Sequence, residues 1–310
     1  MTGALCPFCG APSVFRLEAP SPDDVGGPCH KLYQCDPCAV AFVHPVPPSN
    51  GDSGLYAESY YSRFGKILEW ASRRLLISKR KRIEAFARKG KILDFGCGKG
   101  EFLREMQRAG WDVRGVESSD SARKILPPPL GRLVFKELSA LSSERFEVIT
   151  LWHVLEHLPN PKRTLAEIIP LLKKDGLLFA AVPNLASWEA GFGGADWFHL
   201  DLPRHLVHFR PEGLAKILNG LGFDVQRVNH FSWAYNVFGL YQTWLNRISG
   251  SRNALYNKFK RRQNVGWGSV AGSLILTPVF LAGAFPACLA LGMRGKAGTM
   301  EVYARQATQT

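Results

Sequence analysis

The sequence predicts an α/β protein carrying two appendages. Three observations carry that prediction. Two Cys-x-x-Cys knuckles, "CPFC" and "CDPC", stand near the N-terminus. A glycine turn, "DFGCGKG", lies between a short apolar run and an amphipathic stretch. An uncharged run, "VAGSLILTPVFLAGAFPACLALGM", fills residues 270–293.

The knuckles come first. Each supplies two thiolates at a spacing that fits two corners of a tetrahedron, and two knuckles close a structural zinc site. Gly10 follows the first knuckle, where the chain must turn beneath a metal. The spacer is rich in Pro and Gly, with strand-like pieces at Val14–Leu17 and Leu32–Gln34. Residues 1–50 therefore read as a zinc ribbon, an N-terminal appendage held by Cys6, Cys9, Cys35 and Cys38. Cysteine fills all four places, so none is left for a catalytic water. Four of the seven cysteines pair as knuckles, which favours metal over disulfides in a reducing compartment. The opening "MTGALCPFCG" holds no apolar signal core, and the expected location is cytoplasmic.

The glycine turn is the most informative stretch. Lys91–Phe95 reads as a buried strand, Gly96, Gly98 and Gly100 as a loop, and Glu101–Ala109 as a helix. "WDVRGVES" reads as a second strand ending at Glu117. Strand, turn, helix and strand make a right-handed βαβ unit. Glycines there let the backbone approach a ligand at the positive end of a helix. The acid closing the next strand can accept hydrogen bonds from ribose hydroxyls. A dinucleotide site would show GxGxxG; here the pattern is DxGxGxG, and Glu101 stands at the third dinucleotide glycine.

That stretch resembles motif I of the class I S-adenosylmethionine (SAM)-dependent methyltransferases, with Glu117 matching their ribose-binding acid. "RFEVITLWHVLEHLPNP" (145–161) resembles their fourth strand and the loop after it, and "LLKKDGLLFAAVPN" (171–184) the passage into strand five. "FGGADWFHLDLPRHLVHFRPEGLAKILNGLGFDV" resembles a block of a bacterial subgroup whose members carry an N-terminal zinc ribbon and act on sugars, lipids or cell-surface glycans. The likeness spans residues 1–235 and 298–306. It implies a Rossmann-like, seven-stranded sheet over 91–235 and 297–310, with SAM as cofactor. Asp94, Gly96, Gly98 and Gly100, with Cys97 among them, would line the methionine end. Glu117 would hold the ribose. Ser118, Glu137 and Leu138 would lie near the adenine, and Trp152 and His153 by the sulfonium. Related quinone methyltransferases hold a divalent metal on a similar segment; His153 replaces a carboxylate here, so no second metal is expected. Residues 51–90 read as a helical lid or linker. In it "LYAESYYSRFG" either folds over the cofactor through Tyr60 and Tyr61 or packs between ribbon and core.

Methyl transfer is an in-line displacement at a sulfonium carbon. The donor is already activated, so the enzyme aligns the reactants and sometimes removes a proton. Histidine suits that task near neutral pH. Six of the eight histidines fall between 153 and 230: His153, His157, His199, His205, His208 and His230. His157 follows strand four, on the rim where ligands bind in open α/β sheets. His199, His205 and His208 lie where this fold contacts its acceptor. His157 and His205 are the expected bases, set against structural histidines bound to backbone.

"FDVQRVNHFS" (223–232) reads as strand six, and "GTMEVYARQ" (298–306), with its alternation, as strand seven. Between them residues 236–296 form a basic, apolar helical insertion. From Val225 to Met300 there is no Asp or Glu, and a second basic run, "SRRLLISKRKR", spans Ser72–Arg82. The net charge of +13 is therefore clustered, as an anionic partner would require. Strands six and seven share one sheet, so a single membrane crossing between them is excluded. Pro278 and Pro286 also break a straight helix. The run suits an interfacial hairpin on the inner face of the cytoplasmic membrane, or a helical pair packed on the sheet or a second subunit. The expected activity is methyl transfer to a sugar, glycan or lipid-linked small molecule. RNA methylation, using the ribbon and basic surface, and a non-catalytic SAM-binding scaffold are the alternatives.

Overall fold

A computed structural model describes residues 3–21, 27–47, 66–230, 232–249, 253 and 283–307. At the N-terminus β1 (Val14–Pro20), β2 (Cys29–Cys35) and β3 (Val40–Val43) form an antiparallel meander. Gly10 takes φ 73°, a conformation a Cβ disfavours, and its N–H closes the first knuckle on the Cys6 carbonyl at 2.9 Å. In the second knuckle the left-handed position falls to Ala39, at φ 52°. A fourth strand, β9 (Val207–Phe209), joins β3 antiparallel, with Ala41 opposite His208. It comes from the histidine block, far along the chain.

The second sheet holds seven strands: β4 (Lys91–Phe95), β5 (Asp112–Val116), β6 (Val134–Phe135), β7 (Phe146–Trp152), β8 (Leu172–Pro183), β10 (Phe223–Asn229) and β11 (Thr299–Gln306). Their order is β10-β11-β8-β7-β4-β5-β6. The strands from β6 through to β8 are parallel, and β11 inserts antiparallel between β8 and β10. This is the α/β, seven-stranded class I methyltransferase sheet that the sequence predicts. Its central strands read as apolar runs because helices cover both faces.

On one face α1 (Lys66–Glu84) and α2 (Glu101–Arg108) bury Ile83, Phe102 and Met106 against Phe179 and Tyr303. On the other, α5 (Pro161–Ile168) and α7 (Pro211–Asn219) share one core with the ribbon, in which Leu165 and Leu214 join Cys35 and Phe42. Much of the basic run on α1 is used internally. Arg80 pairs with Glu84 and Glu105, Arg82 with Glu301, and Lys79 is buried.

After β10 comes α8 (Trp233–Ser249), and residues 283–293 are helical. Val237 and Leu240 of α8 pack with Ala284 and Cys288. Asn236 pins α8 to β11: its Oδ1 accepts the Thr299 N–H at 3.1 Å and the Thr299 hydroxyl at 2.6 Å. In this part of the insertion two helices thus pack on each other, tied to the end of β11 through Asn236 and Thr299. Residues 270–282 of the uncharged run, and Tyr60 and Tyr61, lie outside the described residues. Among the described residues no helix is long and apolar enough to cross a membrane.

Candidate active site

The glycine loop leaves β4 with Gly96, Gly98 and Gly100 at φ 75°, 54° and 66°, a region other residues rarely adopt. A Cβ on Gly96 would lie 2.6 Å from Val154, in the loop after β7. Glu117 ends β5 and ties the loop together. One carboxylate oxygen accepts the Gly98 N–H and the other the Ser119 N–H, both at 2.8 Å. Each oxygen keeps a lone pair for a further donor, as ribose hydroxyls would need. The loop and Glu117 therefore fit a nucleoside-bearing cofactor.

Ten of the expected residues line one cavity of about 1170 Å3: Gly96, Gly98, Glu117, Ser118, Glu137, Leu138, Trp152, His153, His157 and His205. That volume exceeds what a single small ligand needs and leaves room for an acceptor beside the cofactor. Asp94, Cys97 and Gly100 stand behind the wall. The Asp94 carboxylate is turned to the Thr150 hydroxyl at 2.8 Å, and burial pushes it up to about 7. A Cβ on Gly115 would lie 2.7 Å from the Cys97 sulfur, which faces the sheet. Gly100 abuts Leu130, so its missing side chain serves packing.

Beyond Trp152 the cavity enters a chamber that sequence reading only partly anticipates. Tyr235 and Phe238 reach into it from α8, and Phe198, His199 and Asp201 from the loop after β8. The Asp201 carboxylate accepts from the Arg204 guanidinium at 2.8 Å. Burial opposes its ionisation, but the Arg204 guanidinium holds it below the usual carboxylate range. His157 Nδ1 lies 2.9 Å from the Arg204 carbonyl, and His205 Nδ1 lies 2.7 Å from the His199 carbonyl. A carbonyl only accepts, so each Nδ1 carries the hydrogen. His208 binds the Leu200 carbonyl through Nε2 at 3.0 Å and lies behind the wall in β9. Burial keeps three of the histidines neutral: His199 is pushed down to about 3, His208 to about 4, and His205 well below its ordinary value.

Glu156, which sequence reading passes over, is the hub of this end. It is 1% exposed, burial lifts it to about 7, and one oxygen lies 3.2 Å from His153 Nδ1. A carboxylate oxygen of Glu156 and ring nitrogens of His157 and His205 lie within 4.8 Å of one another. Lys79 is the other omission. Its Nζ sits 4.3 Å over the Trp152 ring and 5.6 Å from that of Tyr235.

In the ribbon the sulfurs of Cys6, Cys9, Cys35 and Cys38 lie within 4.8 Å of one another, Cys9 and Cys35 at 3.7 Å. Four converging thiols fit a tetrahedral zinc ion that would brace the two knuckles. Cys29, exposed at the start of β2, is not one of the four.

A family model described as a methyltransferase domain matches residues 67–228, just over half of the chain. Among curated relatives, the ubiquinone biosynthesis O-methyltransferase of Thiobacillus denitrificans is 28% identical over 158 residues, 46% of this chain and 68% of that protein. The one from Actinobacillus pleuropneumoniae is 31% identical over 134 residues, 38% of this chain and 57% of that protein. The chain thus matches between about half and two thirds of these relatives' length. Among solved structures, a SAM-dependent methyltransferase from Archaeoglobus fulgidus aligns at a TM-score of 0.47 and 19% identity, over 76% of this chain and 94% of that one. With its strand order, its glycine loop and the matched domain, the chain belongs to the class I SAM-dependent methyltransferases.

Proposed function

We propose that this methyltransferase acts on a hydroxyl of a lipid-linked small molecule, sugar or glycan. The observation that carries the reading is the continuity of one cavity from Glu117, past Trp152 and His153, into the chamber lined by Tyr235 and Phe238. That chamber sets aromatic side chains beside imidazoles and the Asp201 and Glu156 carboxyl groups, and suits an acceptor with an apolar body and a polar reacting end. The two curated relatives are named as O-methyltransferases of ubiquinone biosynthesis, which favours an oxygen acceptor.

In this reading Gly96, Gly98 and Glu117 would hold the cofactor, Ser118, Glu137 and Leu138 would border the adenine, and Trp152 and His153 would lie by the sulfonium. Bound SAM supplies a methyl group already activated as a sulfonium. The protein aligns the acceptor, excludes water and receives a proton. His157 and His205, each with Nδ1 directed at a backbone carbonyl, line the chamber and orient the acceptor. Cys6, Cys9, Cys35 and Cys38 hold a structural zinc; Cys38→Ser should abolish stoichiometric zinc by elemental analysis.

We also propose that the enzyme works at a membrane surface. Phe285, Leu289 and Met293 recur every fourth residue on the helix at 283–293 and are exposed, with Arg294 and Lys296 just beyond. Trp188 and Phe192 stack at 4.8 Å on α6 (Trp188–Gly193), and the Trp188 N–H binds the Lys296 carbonyl.

The test is incubation of the purified chain and methyl-labelled SAM with lipid, glycan and RNA fractions of a deletion strain. Label entering a lipid or glycan species that gains about 14 daltons is expected. Label in RNA alone would overturn the reading.

A further inference from the structure

We propose that His153 and Glu156 form a proton relay that takes the hydrogen of the acceptor hydroxyl during methyl transfer. The proposal rests on the oxygen-acceptor reading above. Four imidazoles border the acceptor chamber, His153, His157, His199 and His205, and His153 has a ring nitrogen within hydrogen-bond distance of a buried carboxylate. His157 and His205 direct Nδ1 at backbone carbonyls. His153 directs Nδ1 at Glu156 Oε1, 3.2 Å away, which leaves Nε2 for the cavity it lines. Its side chain is 19% exposed and that of Glu156 only 1%, so the pair runs from cavity to interior.

The backbone at His153 is strained toward this placement. Its φ of 56° is rare for a residue with a Cβ, and such strain persists only where the surroundings enforce it. Here the His153 N–H donates to the Ala181 carbonyl at 2.9 Å, and the ring rests 4.5 Å from that of Tyr235. Among the described residues Glu156 Oε2 is buried without a hydrogen-bond partner, a costly state for a carboxylate and an easier one for a carboxylic acid.

The step balances. The acceptor oxygen bonds the methyl carbon as the carbon–sulfur bond breaks, and the electron pair of that bond stays on sulfur. The hydroxyl proton passes to His153 Nε2 while the Nδ1 hydrogen passes to Glu156 Oε1. His153 ends neutral in its other tautomer. The positive charge lost at sulfur matches the negative charge lost at Glu156.

The surrounding charges favour that end point. Lys79 and Arg82 from α1, Glu301 from β11, Tyr235 from α8 and His199 face His153; His157, His205 and Asp201 face Glu156. Burial, then Lys79 and Arg82 against Glu301, hold His153 down to about 3, so the imidazolium is no resting place. Glu156, lifted by burial to about 7, can take and release a proton near neutrality.

The test uses the full zinc-loaded chain with nitrogen-15 histidine, and His153→Asn to assign the signal. Between about pH 6 and 8 the two ring nitrogens of His153 should exchange roles. Nδ1 is protonated at the upper end, Nε2 at the lower, and never both. Glu156→Gln should abolish the transition. With the lipid or glycan fraction that accepts label, it should also lower kcat by about 100-fold and flatten the acid limb, with homocysteine-product affinity held within about twofold. An imidazolium at His153, a transition that survives in Glu156→Gln, or unchanged kcat would overturn the relay. So would loss of the transition on adding one equivalent of Mg2+ or Zn2+, since the carboxylate would then hold a cation. The nitrogen readout needs no acceptor, so it fails separately from the acceptor assignment.

Discussion

Glu189→Gln should remove a pH dependence from the stability of the fold. Glu189 lies on α6, 1% exposed, and among the described residues both its carboxylate oxygens are buried without a hydrogen-bond partner. A Cβ on Gly298 would lie 2.4 Å from one of them, so the site is closed by backbone. Burial pushes the carboxyl up to about 8; the Gly298 N–H and the Trp197 ring N–H pull the other way without reaching hydrogen-bond geometry. The unfolded carboxyl titrates near 4.3. Between those values the folded chain keeps a proton that the unfolded chain has released, so stability falls as pH rises and levels off above about 8. The slope is about 1.4 kcal/mol per pH unit, which gives a loss of roughly 2 kcal/mol between about pH 6 and 8. Glutamine has no proton to lose. In urea unfolding, the stability of Glu189→Gln relative to the parent should therefore rise by about 2 kcal/mol across that window. Comparing the two chains at each pH cancels the other titrating groups. A difference that stays constant to about 0.5 kcal/mol would show Glu189 already ionised at pH 6, and would refute the dry-site reasoning.

Three further outcomes are expected. His153 and His199, held near 3, and His208, held near 4, are buried neutral, so stability should fall as pH drops below about 6.5. Asp94, Glu156 and Glu189 offset part of that loss down to about pH 4.3, so thermal unfolding should decline most steeply below it. Glu117→Gln removes the charge that accepts the Gly98 and Ser119 amides and should weaken S-adenosylhomocysteine binding by about tenfold or more in calorimetry. Gly213→Ala would put a Cβ 2.3 Å from the Ala39 carbonyl and 2.6 Å from that of Cys38, backbone that cannot swing aside. A stability loss of about 1–3 kcal/mol, with faster zinc release to a chelator, should follow.

The legible parts of the molecule are those with local signals. Lys91–Phe95 is found to the residue, because the glycines that follow stop the strand and start the turn. The knuckles are legible because each thiolate pair is set within four residues. Strand β11 shows in its alternation. Strand β9 is different: three residues of a histidine-rich block pair with a strand more than 160 residues earlier, and no local pattern marks that choice. Lys79 reads as one cation in a basic run, yet Leu76, Lys79 and Ile83 share a helical face that is turned inward. Glu156 reads as a loop acid three residues after His153 and next to His157; only the fold brings His205 beside it.

The same pairing that escapes the sequence gives the ribbon a reason to be present. The second knuckle feeds β3, which pairs with β9, and His208 of β9 grips the Leu200 carbonyl. Just before β9 the Leu206 carbonyl accepts the Val43 N–H at 2.9 Å, while the Leu206 N–H reaches the Glu156 carbonyl at 2.7 Å. An unbroken path of backbone hydrogen bonds thus joins the cysteine cluster to the acid at the acceptor chamber. The glycine loop hangs from β4 and β5, in the other sheet. A metal at the knuckles would therefore stiffen the acceptor wall far more than the cofactor cradle. The ribbon is better understood as scaffolding for the chemistry than as a separate module beside it.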